Sequence, residues 1–161
     1  MVNAFLAASR EGDFDALLTM LDPDIVLRAD AAAAQMGAES ADAAAARMGA
    51  ASQVTGARAV AGFFSGRAAA VRPALIDGAP GAVWTYRGET RVVFAFTITG
   101  GTITGGTITG GTITAIELIA DPEHIARLEV ISLSARAEAR RAQRGQLAGS
   151  SGIALARTTL A

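Results

Sequence analysis

Apolar and polar positions alternate most clearly between Arg91 and Asp121. There two apolar runs, Arg91–Thr99 and Thr112–Ala120, flank a repeated unit, TITGG, beginning at Thr97, Thr102 and Thr107. Thr and Ile favour extended chain and Gly-Gly is a two-residue turn signal, so the pattern predicts a β-hairpin turning at Gly105-Gly106. In a regular register Thr104 then faces Thr107, Ile103 Ile108, Ile98 Ile113, Phe96 Ala115 and Phe94 Glu117. A single TITGGTIT would close the same hairpin. The further units therefore lengthen each strand without disturbing the register of the body, by about 17 Å of ribbon. An odd repeat length turns successive isoleucines to opposite faces of a continuous strand, Ile98 and Ile113 one way, Ile103 and Ile108 the other. Isolated two-stranded ribbons are marginal in water and open edges recruit partners, so a homodimer or larger assembly through this arm (97–114) is expected. The Gly pairs weaken the ribbon further.

Elsewhere the apolar period changes from two to 3.6. Val2–Arg10 and Phe14–Leu21 read as short helices, the second capped by Asp13 after Gly12 and burying Phe14, Leu17, Leu18 and Leu21. Asp22-Pro23 is expected to end that helix and Ile25–Ala29 to form a first strand. Gly56–Phe64 predicts a third helix with Val60, Phe63 and Phe64 inward. Ala74–Asp77 and Ala82–Arg87 predict strands joined through Gly78-Ala-Pro-Gly81, with Arg87-Gly88-Glu89 turning into the long hairpin. Asp121-Pro122-Glu123 is a helix start, with a capping acid, a proline at the first helical position and an acid at the positive end of the dipole. That last helix runs to about Leu128. Domain 1–131 is followed by an Arg-rich tail, 132–161.

Residues 29–52 hold a second tandem repeat, ADAAAAQMGAES then ADAAAARMGAAS. Alanine favours helix, but Gly37 and Gly49 interrupt the units. A twelve-residue shift also turns a helix by about 120°, so both copies cannot bury one face of a continuous helix. Two short helical turns or a mobile loop are expected, contributing little stability. Two unrelated perfect repeats point to in-frame duplication or engineering.

Composition narrows the chemistry. Of 161 residues, 51% are hydrophobic but only 5% aromatic, and every basic residue except His124 is one of 14 arginines. With no cysteine, disulfides and thiolate ligands are excluded, and a lone histidine argues against structural zinc. No cofactor and no metal are expected. Neither a signal peptide nor a membrane-spanning run is visible, so the expected compartment is the cytoplasm. Residues 1–131 carry 14 acids against nine Arg, net −5, while 132–161 carry one acid and five Arg, net +4. A basic tail can meet an acidic surface, but a solvated terminus accounts for it and direct nucleic-acid binding is not expected.

The order helix, helix, strand, helix, then strands in hairpins is α+β and resembles the cone of the nuclear transport factor 2-like superfamily. In that cone a bent antiparallel sheet wraps around N-terminal helices. FLAASREGDFDALLTMLDPDIVLRAD, VTGARAVAGFF, RPALIDGAPGAVW, RVVFAFTI and ITAIELIADPEHIARLEV are similar to the SnoaL-like domain at the C-terminus of certain extracytoplasmic-function RNA polymerase sigma factors. The match covers most of residues 2–130, outside both repeats. The family's Asn-Pro-Asp-Lys-Leu-like ending is Asp121-Pro122-Glu123-His124-Ile125 here, a looser match, and the polymerase- and promoter-binding regions fall outside this sequence. The resemblance implies a non-catalytic ligand-binding or regulatory domain with transcription machinery as a partner. The alternative is a cofactor-free isomerase, cyclase or epoxide-hydrolase-like enzyme acting on an apolar ligand.

For that alternative Glu117 is the candidate acid or base. The regular register places it opposite Phe94 on one face with Val92, Phe96, Ile113, Ala115 and Ile119, and apolar surroundings raise a carboxylate's pKa. Enzymes resembling this cone place a working carboxylate on the sheet inside the pocket. Phe63, Trp84, Tyr86, Phe94, Phe96 and Ile119 are the expected pocket lining, although large aromatics on strands are commonly core. His124 is expected on an exposed first turn. Arg28, Asp30, Asp77 and Arg91, near strand ends, are candidates for an Arg–carboxylate set or for simple surface pairing. The Gly-Gly units are not a phosphate loop, because no GK[ST] follows them. They also lack the aspartate of calcium-binding glycine repeats.

Overall fold

The computed structural model describes residues 1–39, 46, 51–104 and 107–133, with the backbone alone at 103, 107 and 108. Helix α1, Val2–Glu11, buries Val2, Phe5, Leu6, Ala8 and Ser9 along one stripe and ends at Gly12, which takes the left-handed conformation at φ 69°. Asp13 then caps α2, Phe14–Met20, its carboxylate accepting from the N–H of Ala16 at 3.0 Å. The first strand begins earlier than expected: β1 runs Leu21–Ala29, straight through Pro23. Its pairing with β8 (Thr112–Ile119) is interrupted between Leu21 and Val26, so the proline, which has no N–H to give, falls where no ladder bond is needed.

Asp30 starts α3, Ala31–Ala38, so the first Ala-rich unit is a helix, with Ala34 buried and Ala32 and Ala33 against the core. Most of the second unit lies outside the described residues. The short β2, Gln53–Thr55, leads into α4, Ala57–Phe64, which buries Val60, Ala61 and Phe64. Three hairpin strands follow: β3, Val71–Ile76; β4, Ala79–Tyr86; and β5, Glu89–Thr99. Their turns are two-residue pairs, Asp77-Gly78 (φ 49° and 80°) and Arg87-Gly88 (φ 53° and 81°). Both residues are left-handed in each, as a type I′ turn requires. The first turn is therefore tighter than the four-residue link expected, and Ala79–Gly81 belong to β4.

Seven strands form one sheet in the order β2-β1-β8-β5-β4-β3-β9, where β9 is Val130–Ser132. The sheet is bent and carries helices on its faces. It is not wholly antiparallel, because β1 and β8 pair in parallel. Strand β9 lies antiparallel to β3, so the boundary expected at 131 falls inside a paired strand. The inner face and helices α1, α2 and α4 share the main core, which includes Phe5, Leu17, Ile25, Leu27, Val60, Ile113 and Ile116. A smaller cluster on the outer face, Ala74, Ile76, Val83, Val93 and Ile119, is covered by Ile125 and Leu128 of helix α5 (Pro122–Arg127) and its C-terminal end, and by Val130.

The turn expected at Gly105-Gly106 lies outside the described residues, and the strands on either side of it do not form one ribbon. Ile98 faces Ile113 and Thr99 faces Thr112 in the main sheet, while Thr102–Thr104 (β6) and Thr107–Thr109 (β7) pair as a separate two-stranded sheet with Thr104 opposite Thr107. Glycine interrupts the strands between the two parts: Gly100, Gly110 and Gly111 are all left-handed. A Cβ at Gly111 would lie 2.7 Å from the Gly101 nitrogen.

Toward the body the register departs from the regular one. Beyond Ile98–Ile113 the pairs become Thr97–Ala115, Phe96–Ile116, Ala95–Glu117 and Phe94–Leu118. Thr114 is the extra residue of a β-bulge, its hydroxyl donating to the Thr97 carbonyl at 3.3 Å. The expected pairs Phe96–Ala115 and Phe94–Glu117 are thereby replaced. One inserted residue moves everything after it to the other face. Ile113, Ile116 and Leu118 all enter the main core as a result.

Candidate functional site

An apolar cavity of about 220 Å³ opens between the C-terminal end of α4 and the inner face of the sheet. Phe63 and Phe64 of α4 form one wall. Leu6 of α1 closes one side, and Trp84, Val92, Phe94, Phe96 and Leu118 supply the sheet wall. The segment after α4 forms the rim through Arg67, Ala68, Ala70 and Val71. The rings pack edge to face, with Phe5 and Phe64 centroids 5.0 Å apart, Phe63 and Phe64 5.1 Å and Phe5 and Phe96 5.4 Å.

The rim is held by a set of hydrogen bonds to main chain. The buried Ser9 hydroxyl donates to the Phe64 carbonyl, and the Gly66 N–H donates to the Ser9 carbonyl at 2.6 Å. Arg10 reaches from the last turn of α1 to the Ala68 and Val71 carbonyls, at 3.2 and 2.7 Å. Arg67 folds back on α4, one terminal nitrogen donating to the Phe63 carbonyl at 2.7 Å and the Gly62 carbonyl at 3.3 Å. Its guanidinium carbon stands 5.9 Å from the centre of the Phe63 ring. Arg72 holds the Ala69 carbonyl at 2.9 Å.

Four of the expected lining residues, Phe63, Trp84, Phe94 and Phe96, meet at this cavity. Tyr86 does not: it lies 48% exposed beyond Trp84, under the Arg87 guanidinium. Ile119 belongs to the outer cluster, on the far side of the sheet. Glu117 is corrected in the same way. It is exposed on the outer face, between Arg28 of β1 and Ala95 of β5, and the apolar surroundings that a regular register would give it belong to Ile116 and Leu118 instead. His124 is exposed on α5.

The four strand-end residues do not assemble. Arg28 donates to the Gln53 side chain at 3.4 Å, Arg91 lies 3.6 Å from Glu89, and Asp77 accepts from the Glu129 N–H at 2.8 Å. Asp30 is given over to backbone N–H groups of Ala33, Ala120 and Asp121. Reading the strands alone overlooked the rim. Arg67, Ala68 and Ala70 have no period of their own, and only the helix end before them and the strand after them mark the place. Leu118 was overlooked because of the bulge. Among the described residues, no group of His, Cys, Asp and Glu could hold a metal ion, and no helix is long and apolar enough to cross a membrane.

No protein-family model and no curated protein matches the chain. Among solved structures it is similar to one named Rd1NTF2_05, at 14% identity over 73% of this chain and 91% of that one, with a TM-score of 0.41. It is also similar to an "NTF-2 like protein of unknown function" from Burkholderia xenovorans LB400, at 16% identity over 73% of this chain and 77% of that one, with a TM-score of 0.39.

Proposed function

We propose that this chain is a non-catalytic ligand-binding module of the nuclear transport factor 2-like kind, with the cavity beneath α4 as its binding site. The observation that carries this reading is the make-up of the walls. Five aromatic rings and several aliphatic side chains surround the space, and the described lining residues include no carboxylate, imidazole or hydroxyl. Acid–base catalysis requires such a group within hydrogen-bond reach of the substrate, whereas apolar binding requires only shape and dryness. Glu117, the residue on which an isomerase, cyclase or hydrolase would depend, stands exposed on the opposite face.

The finer reading is a regulatory module of the sigma-factor-associated SnoaL-like type, with transcription machinery as partner. It is supported by the sequence resemblance, and retention of core RNA polymerase on the immobilised chain tests it.

The chain has one tryptophan, and it lines the cavity, so its emission reports on the site directly. Titration with a small neutral hydrocarbon such as toluene should give a saturable change in Trp84 fluorescence. Ala70→Phe, at an exposed rim position, should abolish that change and leave the melting temperature within a few degrees. Emission that never saturates, or that responds equally in the filled variant, would remove the binding reading.

A further inference from the structure

The rim of the cavity carries polar atoms, but they are bonded to one another. At the end of α4 the carbonyls of Gly62 and Phe63 accept from Arg67, and that of Phe64 accepts from Ser9. Along the segment that follows, the Ala68 and Val71 carbonyls accept from Arg10 and the Ala69 carbonyl from Arg72. The main-chain acceptors around the mouth are thus satisfied by the chain's own donors. Arg67, the charged residue of the described lining, is engaged in this set, and its guanidinium carbon stands 5.9 Å from the centre of the Phe63 ring. A ligand with a polar end must break one of these bonds, leave that end unpaired against apolar walls, or sit partly outside. Each course costs affinity.

Size limits the ligand as polarity does. A dry cavity of about 150 Å³ accepts one benzene ring. The space here is about 220 Å³, and the excess of about 70 Å³ takes about two or three methylene-sized groups at ~30 Å³ each. Phe63, Phe64, Trp84, Phe94 and Phe96 line the space with rings. An aromatic guest gains edge-to-face contacts there that a saturated one lacks.

We infer that the cavity takes a neutral alkylbenzene, one aromatic ring carrying an unbranched chain of about three carbons at most. This rests on the cavity being a binding site, and it adds three selections: ring over saturated body, short chain over long, and no polar head.

The series from benzene to pentylbenzene, titrated against Trp84 fluorescence, tests the length. Affinity is expected to rise about fourfold per methylene as far as propylbenzene and then to level off or fall. Leu6, 2% exposed, is part of the wall. Leu6→Ala removes three carbon atoms from it and should move the limit to longer chains, and the milder Leu6→Val, which removes one, should move it less. Propylcyclohexane, compared after correction for partition from water into alkane, should bind about fivefold more weakly than propylbenzene. 3-Phenylpropanol, 3-phenylpropionate and 3-phenylpropylamine should all bind more weakly than propylbenzene, the two charged heads alike. An undiminished climb through pentylbenzene, a limit unmoved in a folded Leu6 variant, equal binding of the saturated ring, or tighter binding of any polar analogue overturns the inference while the cavity reading stands. Failure of every hydrocarbon to give a saturable change overturns both.

Discussion

At Asp30 one carboxylate serves three backbone N–H groups. One oxygen caps α3 through Ala33 at 2.7 Å, and the other accepts from Ala120 at 3.0 Å and Asp121 at 3.1 Å. A residue in the Ala-rich repeat thus ties the end of β1 to the end of β8, and if this segment contributes little to stability, as expected, removing that tie should cost little. Yet hydrogen bonds to a charged acceptor contribute more than neutral ones, and removing the acceptor leaves several donors without their partner. Asp30→Ala should cost about 2–4 kcal/mol in urea unfolding, and Asp30→Asn, which keeps one acceptor, about half as much. Gly81 is constrained differently. A Cβ there would lie 2.7 Å from the Ile76 side chain and 2.8 Å from the Phe94 carbonyl. Gly81→Ala should therefore cost about 1–3 kcal/mol by overpacking, read as a shift of the urea midpoint without a change of slope.

Among the elements, the hairpin formed by β5 and β8 decides which side chains meet the cavity. Its register is regular at the tip and displaced by one residue beyond Thr114. Because Thr114 is the extra residue, deleting it should leave Ile113 paired with Ile98 and Ala115 with Thr97 as neighbours in a plain ladder, with Ile116 and Leu118 still inward. Proton NMR should then show the same cross-strand contact between Ile98 and Ile113, with a melting temperature within about 5 °C of the parent, the effect of about 1 kcal/mol in a domain of this size. Without the bulge, the same deletion would turn every residue on one side of it to the wrong face and unfold the domain. Loss of folding would thus show the bulge to be misplaced.

At the scale of the whole molecule, association is expected through the arm. Among the described residues strands β6 and β7 pair only with each other, and glycines separate them from the main sheet. A two-stranded ribbon is marginal alone, and its edges are free to add another strand. Removal of residues Gly101–Gly110 joins Gly100 to Gly111 and leaves a single TITGGTIT with the body's pairing intact. Light scattering should show the full chain as a dimer or larger and the shortened chain with weaker association. A full-length chain that stays monomeric at high concentration would rule out the arm as an interface.

By itself the sequence determined what depends on near neighbours. The caps at Asp13 and Asp121, the helices before Gly12 and Ser65, the Arg87-Gly88 turn and the pairing of Thr104 with Thr107 all follow from the conformational needs of a few adjacent residues. Period-two alternation also extends from a turn as far as the ladder stays regular, so Ile98 was placed opposite Ile113 correctly. Tertiary structure decided the rest. The parallel pairing of β1 with β8 and the added β9 join segments far apart in the chain, and no local pattern encodes them. The bulge at Thr114 likewise has no signature of its own. It is the arrangement in which Ile113, Ile116 and Leu118 all reach the core beneath the helices, and burying three large apolar side chains outweighs one interrupted ladder position. The same event turned Glu117 outward and Leu118 to the cavity, because in a strand one added residue exchanges the faces of everything that follows.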